Sequence, residues 1–331
     1  MSSSSPARKP NVRDVARHAR VSVATVSRVL NGAQNVAAPT RARVEQAIAA
    51  LRFVPSSAAR AINSGRTRLV GALIPTLDHA IFARFIDALE DGFDSYGLSV
   101  IVATTGGLAD RERDRAQKLL DLGVEGLVVS GISRGADFEA LIDRYQIPVV
   151  ATSYFDPGYV YPTIGYDNAE VARTALDHLR ALGHHKITVL YGPPDINDRT
   201  RTRFESIQDA VPYKFQTELS FGAGADAVPQ ILDRHPDTTA IICLSDVLAQ
   251  GALTRLRAMG VDVPGRISVI GMDDLPSSQS FDPPLSTVWL PVNDMGRAAS
   301  GALARWIEAG QRPEHYKLAT VLAARQSTGP V

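Results

Sequence analysis

One cysteine in 331 residues excludes a disulfide framework and a cysteine-ligated metal from this chain. Cys243 lies inside the apolar run Ala240-Ile-Ile-Cys-Leu244, where a buried structural thiol is expected. Long apolar runs are missing as well: none approaches the ~20 residues that span a bilayer. The first ten residues, MSSSSPARKP, have no apolar core, so no secretory signal peptide is expected there. Net charge is also absent, with 35 basic and 35 acidic side chains, and over the whole chain that balance suggests no polyanionic partner. The length is too great for one ordinary domain and suits two or three.

The zero conceals a division. Through Arg68 the chain carries twelve lysines and arginines against only Asp14 and Glu45, a net +10, and the remainder carries −10. A basic head on an acidic body is the electrostatic footprint of a nucleic-acid-binding module joined to something that is not one. A disordered basic tail would lack the apolar periodicity that runs through this segment. In residues 11–31, NVRDVARHARVSVATVSRVLN, Asn11 can cap a first helix with Asp14 as its capping-box partner. Val12, Val15, Ala16 and Ala19 share one face at spacings of three and four. Ala19-Arg20-Val21 makes a tight turn, and Ser22 caps a second helix whose Val23, Val26, Val29 and Leu30 include the inward stripe. Ala24, Thr25, Ser27 and Arg28 are left free to face outward. That layout is a helix-turn-helix, whose second helix enters the DNA major groove through its N-terminal residues. A loop over 32–38 leads to a third helix over 40–51, in which Val44, Ala47, Ile48 and Leu51 close a three-helix bundle, and Pro55 ends the unit. Residues 56–65 read as an alanine-rich helix too short to stand alone in water, expected to form against a partner helix and DNA.

From Leu69 onward the pattern changes. Strand-like apolar runs at 69–75, 99–105, 126–131 and 148–152 alternate with helical stretches at 82–96, 110–122 and 136–145. A second series follows, with helices at 168–182, around 203–210, 224–234 and 247–259. Its strands are at 186–192, near 215–221, at 239–245 and at 267–272. Strands apolar on both faces, alternating with helices, argue for parallel sheets covered by helices. The units suffice for two doubly wound halves, with a ligand cleft at the carboxyl ends of their strands.

The residues resemble the lactose-repressor/galactose-repressor family of bacterial transcription regulators over about 11–328, nearly the whole chain. The resemblance rests on Asp14-Val-Ala, Val21-Ser22, Thr25-Val-Ser-Arg-Val-Leu-Asn31, Thr40-Arg41 with Val44, and Val54-Pro55. In the body it rests on Asp167-Asn168, Leu182-Gly-His184, Ser268-Val-Ile-Gly-Met-Asp273, Pro284-Leu-Ser-Thr-Val288, Met295-Gly296 and Arg325-Gln-Ser-Thr328. Any one of these is weak; their order and spacing together are specific. The resemblance implies an all-α helix-turn-helix headpiece over 8–55, a hinge helix over 56–66, and a body over 67–331 that resembles a periplasmic binding protein with two α/β subdomains. It implies a homodimer or a dimer-based oligomer, and the dimer is favoured over a tetramer because no leucine heptads follow Arg325. The implied partners are double-stranded, pseudo-palindromic operator DNA and a small effector such as a sugar or sugar acid.

Carried over by position, Val23 and Ala24 open the recognition helix, where they can offer apolar contact, for example to a thymine methyl. Arg28 stands one turn later and can pair bidentately with guanine, worth roughly 1–3 kcal/mol in discrimination. Ser22, Thr25, Ser27 and Asn31 suit phosphates, and Asn11 joins the DNA-contacting set. Ile62 falls where the family has a leucine that wedges into the minor groove. Arg203-Phe-Glu-Ser-Ile207 matches the family's Arg-x-x-Gly-Phe, and Asp273 its aspartate after the last core strand. Together a positive fork and a carboxylate suit a hydroxyl-rich or acidic ligand. Ile81, Phe82, Phe221 and Ser245 are the further effector contacts, although an internal ion pair would also account for Arg203 and Asp273. Some positions depart from the family pattern. Arg20 stands where a positive φ is expected, at a cost of order 1 kcal/mol, and Ala37 replaces a capping serine, a loss of roughly 1 kcal/mol. Ser206 and Met272 replace a glycine and an aromatic near the cleft. Arg199 and Arg201 either favour an acidic effector or are solvated loop arginines.

The implied protein is a ligand-controlled DNA-binding regulator, cytoplasmic and nucleoid-associated, with no catalysis, cofactor or metal. A nucleotide-dependent enzyme is the rival, because Gly222-Ala-Gly224-Ala-Asp-Ala227 matches a dinucleotide fingerprint. That match comes late, outside the first βα unit, and stands alone. His184-His185 read as a loop after a helix and not as metal ligands. A solute transport receptor would share the body but needs export and has no use for the headpiece.

Overall fold

A computed structural model of the chain describes residues 10–30, 33, 35–54, 61 and 65–331. The chain forms two compact units, Met1–Thr67 and Arg68–Val331. The sequence expectations for Asn31, for Ile62 and for nearly all of the 56–66 helix lie outside the described residues.

The first unit holds α1 (Val12–Ala19), α2 (Val23–Leu30) and α3 (Ala38–Ala50). Asn11 and Asp14 form a reciprocal capping box. The Asn11 carboxamide accepts from the Arg13 and Asp14 amides at 2.9 and 3.2 Å, and the Asp14 carboxylate accepts from the Asn11 amide at 3.0 Å. Arg20 ends α1 in the left-handed region, φ 55°. α3 begins two residues earlier than the periodicity suggests because Pro39 fits the first turn, where its missing N–H has no helical partner to lose. No side chain caps it at Ala37. Val15, Ala16, Ala19, Val26, Val29, Val44 and Ala47 form the buried cluster of this unit. Val23 does not belong to the inward stripe: it is 43% exposed.

The second unit is built on two six-stranded sheets. The first lobe contains β1 (Leu69–Ile74), α4 (Ala80–Asp94), β2 (Ser99–Thr104), α5 (Ala109–Asp121), β3 (Leu127–Ser130), α6 (Ala136–Tyr145), β4 (Val149–Thr152) and β5 (Thr163–Gly165). The second contains α7 (Asn168–Ala181), β6 (Ile187–Tyr191), α8 (Asp198–Glu205), β7 (Tyr213–Gln216), α9 (Phe221–Arg234), β8 (Ala240–Cys243), α10 (Asp246–Ala258), β9 (Ser268–Asp273) and β10 (Ser286–Trp289). The chain then returns to the first lobe through α11 (Val292–Ala309) and β11 (Tyr316–Lys317), and finishes in the second with β12 (Val321–Ala323). The strand orders are β11-β5-β4-β3-β1-β2 and β12-β10-β9-β8-β6-β7. Every pairing is parallel except β10 with β12. β4, β6, β8 and β9 are buried along their whole length, as strands covered on both faces must be.

Several boundaries differ from the sequence reading. The helix expected around 203–210 runs instead from Asp198 to Glu205, because the Asn197 side chain accepts from the Thr200 amide and starts it early. The strand expected near 215–221 stops at Gln216, and Phe221 opens α9 under a Ser220 cap. The elements β5, β10, α11, β11 and β12 extend the body beyond the alternation read from sequence. α11 buries Val292, Met295, Ala299, Leu303 and Ala304 in one apolar cluster with Phe85 and Leu89 of α4. Gly296 permits their close approach: a Cβ there would stand 2.7 Å from that of Ala88.

Candidate functional site

α2 presents an exposed polar face. Ser22, Val23, Ala24 and Arg28 are exposed, and Thr25 and Ser27 are half-buried. The Ser22 hydroxyl accepts from the Thr25 amide at 3.1 Å and lies 2.9 Å from its Oγ1, so Ser22 does cap the helix. Its N-terminal turn therefore offers two hydroxyls, an apolar branch and a methyl on one surface, with a guanidinium beyond. Asn11 is occupied as the α1 cap and keeps only its carboxamide N–H groups for other partners.

In the second unit the carboxyl ends of β1, β4, β6, β8 and β9 open onto one cleft of about 460 Å³. All of Ile81, Phe82, Arg203, Phe221, Ser245 and Asp273 line it, although they come from both lobes and span almost 200 residues of chain. One wall is apolar, with Ile81 and Phe82 at the first turn of α4, Leu275, Val292 and Met295. Phe221, at the start of α9, is 42% exposed.

Arg203 is held in a fixed pose. Its Nε donates to Asn168 Oδ1 at 3.0 Å and its Nη1 to the Leu244 carbonyl at 2.9 Å. Asn168 Nδ2 in turn donates to the Ser153 carbonyl at 3.0 Å. Arg203 Nη1 stands 3.9 Å from Asp273 Oδ1, an ion pair at arm's length with both side chains under a tenth exposed. Asp273 has φ 139° and Asp274 φ 50°, consecutive left-handed residues that turn the Asp273 carboxylate inward at the end of β9. That carboxylate accepts from Ser245 Oγ at 3.0 Å and from the Asp246 amide at 3.3 Å. Burial raises its pKa despite the opposing pull of Arg203. Behind it Asp246 is raised to about 7, first by burial and then by Asp273, although Ser278 Oγ, Thr287 Oγ1 and the Leu275 amide donate to it.

The sequence reading passed over the residues that join the lobes. Asp198, in the first turn of α8, accepts from the amides of Ile132 and Ser133 at 2.6 and 2.9 Å. Burial opposes its ionisation, yet Arg199 and those two N–H groups hold its carboxyl below the usual value. Arg199 pairs with Asp198 at 2.9 Å, and Arg201 donates to Ser133 Oγ at 2.6 Å. Neither is a solvated loop arginine: both belong to α8 and are engaged. Gly131 has φ 76°, and a Cβ there would collide with the Asp198 carboxylate, so glycine is required. No local signal marks this pairing, because its halves lie some 65 residues apart. Gly224 of the dinucleotide-like run has a packing role instead: a Cβ would collide with the Leu248 backbone of α10. His184 is buried between Thr239, Ser268 and the Gly329 carbonyl, with its pKa lowered by that burial.

A recognition helix on one unit and a ligand-sized cleft between two parallel lobes on the other define a class: DNA-binding regulators that answer to a small molecule. Residues 11–56 match bacterial regulatory proteins of the lacI family, and residues 176–328 match the periplasmic binding protein-like domain. The ribose operon repressor of Halalkalibacterium halodurans is 31% identical over 325 residues, covering 96% of each chain. The lac repressor dimer, solved bound to operator and the anti-inducer ONPF, superposes with a TM-score of 0.87 at 25% identity, over 97% of this chain and 100% of that one. A regulator solved as the CelR–cellobiose complex gives 0.68 at 27% identity, over 96% and 99%. The chain belongs to the LacI family and is a ligand-responsive, DNA-binding transcriptional regulator. Its relatives are transcriptional regulators, not enzymes. Among the described residues no helix is long and apolar enough to cross a membrane.

Proposed function

We propose that the protein is a homodimeric repressor, working in the cytoplasm on the nucleoid, that binds a neutral, hydroxyl-rich metabolite between the lobes of its body. The single observation that carries the ligand class is the Arg203–Asp273 pair, buried and 3.9 Å apart at the floor of the cleft. A fixed guanidinium beside a carboxylate offers donor and acceptor to adjacent hydroxyls, each of which both donates and accepts. A sugar acid is less well served. Arg199 is neutralised by Asp198 and Arg201 is committed to Ser133, which leaves Arg203 facing a carboxylate of its own.

The headpiece spans 8–55, a hinge 56–66 and the body 67–331. Arg28 reads a base edge, Val23 and Ala24 make apolar base contact, and Ser22, Thr25, Ser27, Asn31 and Asn11 meet phosphates, with Ile62 as the wedge. Ligand in the cleft biases the relative setting of the two lobes and, through the hinge, the affinity for DNA, a population shift set by differential affinity. Two measurements test this. Affinity for the chain's own promoter region should fall steeply with salt and vanish on deletion of residues 1–66; indifference to either defeats the DNA reading. In thermal-shift screens of sugars, sugar acids and nucleobases, a sugar should protect the wild type and fail to protect Arg203→Ala. Equal protection of both defeats the ligand reading.

A further inference from the structure

Left-handed backbone strains any residue that carries a side chain, and where such strain persists the reason is often functional. Arg20 is one of these positions. It ends α1 at φ 55° and ψ 47°, with its backbone N–H donated to the Ala16 and Arg17 carbonyls, a closure that glycine completes without strain. Its side chain is exposed and has no hydrogen bond or ion pair among the described residues, so no contact within the fold accounts for it. The negative end of the α1 dipole favours a cation there, but that attraction asks only for charge and gives the guanidinium no partner.

The surroundings of Arg20 indicate what it meets. Ser22, the cap of α2, follows two residues later, so the two Cα atoms are at most about 7 Å apart. A recognition helix enters the major groove by its N-terminus, while the first helix crosses the backbone. The groove is only about 12 Å wide and its walls are rows of phosphates. A residue immediately before the recognition helix therefore stands at a wall. Arg13 and Arg17 are exposed on one edge of α1 at a spacing of four, and the turn places Arg20 beyond them. The one acid on α1, Asp14, accepts from the Asn11 amide at 3.0 Å and meets Arg17 only at 3.5 Å, in a pair whose arginine is 80% exposed. The local field is positive, and a guanidinium fork matches two oxygens of one phosphate.

We propose that Arg20 is a phosphate clamp, whose guanidinium grips the DNA backbone at the edge of the half-site read by α2. It sets register and carries no sequence information. This rests on the reading of α2 as the recognition helix. The test is the salt dependence of binding by the full chain, by Arg20→Gly and by Arg20→Lys. Each is measured on a duplex from the chain's own promoter and on a scrambled duplex of the same length. Arg20→Gly should make the slope of log affinity against log salt shallower by about 0.9 for each half-site bound. Between about 50 and 200 mM salt it should thus lose roughly three- to fourfold less affinity per half-site than wild type. At low salt it should weaken binding to both duplexes by the same factor. Arg20→Lys keeps the charge and should keep the slope. An unchanged slope in Arg20→Gly overturns the clamp and leaves the recognition helix standing. A loss confined to the promoter duplex also overturns it, because that marks a base contact. A lysine variant as shallow as the glycine variant overturns it too, since the slope counts charges. Failure of the wild type to bind either duplex defeats the recognition-helix reading and the clamp together.

Discussion

Asp246 is wholly buried, accepts three hydrogen bonds and still has its pKa raised to about 7, because burial and the neighbouring Asp273 together outweigh those donors. The folded state therefore holds a proton on this group over a range where the unfolded chain has released it. A raised carboxyl pKa contributes stability at low pH that is lost as pH climbs from the ordinary carboxylate range through about 7. Asp246→Asn should remove that component. The thermal midpoint of wild type minus that of the variant should decline between pH 4 and 7 and be flat above. A difference that is constant or rises across this window contradicts the assignment. Arg203 and Asp273 were legible as single residues because each belongs to a short, ordered motif. The commitment of Arg199 to Asp198 was not: the sequence leaves Arg199 open between an acidic effector and solvent, and the loop that holds Asp198 is remote in the chain.

At the scale of elements, the helix-turn-helix was read with little loss. Caps and turns are local: Asn11, Asp14 and Ser22 act within three residues of their partners, so spacing alone identifies them. The positive φ at Arg20 was expected for the same reason. Replacing Arg20 by glycine should stabilise the α1–α2 turn by about 1 kcal/mol, the cost of holding a side chain in the left-handed region. Hydrogen exchange of the α1 and α2 amides in the full-length protein reads this directly, and unchanged or faster exchange refutes it. β10 escaped the reading because Ser286 and Thr287 look like loop residues. They are buried in a strand, where Asp246 accepts from Thr287 Oγ1 at 2.6 Å, Ser327 Oγ accepts from the Ser286 amide at 2.8 Å, and Ser286 Oγ lies 2.8 Å from Thr328 Oγ1. Polar strands of this kind are paid for by distant partners, and hydrophobic periodicity cannot register them.

Over the whole molecule, α8 is one of the elements through which the lobes of the body meet: it carries Asp198 against the β3–α6 loop on one turn and Arg203 into the cleft a turn and a half later. The helix that carries Arg203 into the cleft is thus also one that ties the lobes to each other. Asp198→Ala should lower the thermal midpoint of the body by the equivalent of about 3 kcal/mol, because it strands a buried guanidinium and two loop N–H groups. Differential scanning calorimetry decides it, and a midpoint within error of wild type removes Asp198 from the lobe contact. The chain's division into a cationic head and an anionic body, its α/β alternation and the capped second helix of its headpiece were all determined by the sequence alone, since each is a matter of local spacing or of charge along the chain. Which arginine lines the cleft beside a carboxylate and which is neutralised within its own helix, and how β10 and α11 complete the lobes, were decided only by the tertiary structure. Those outcomes depend on groups brought within hydrogen-bonding distance from far apart in the chain, and burial then makes each unpaired charge too costly to leave alone.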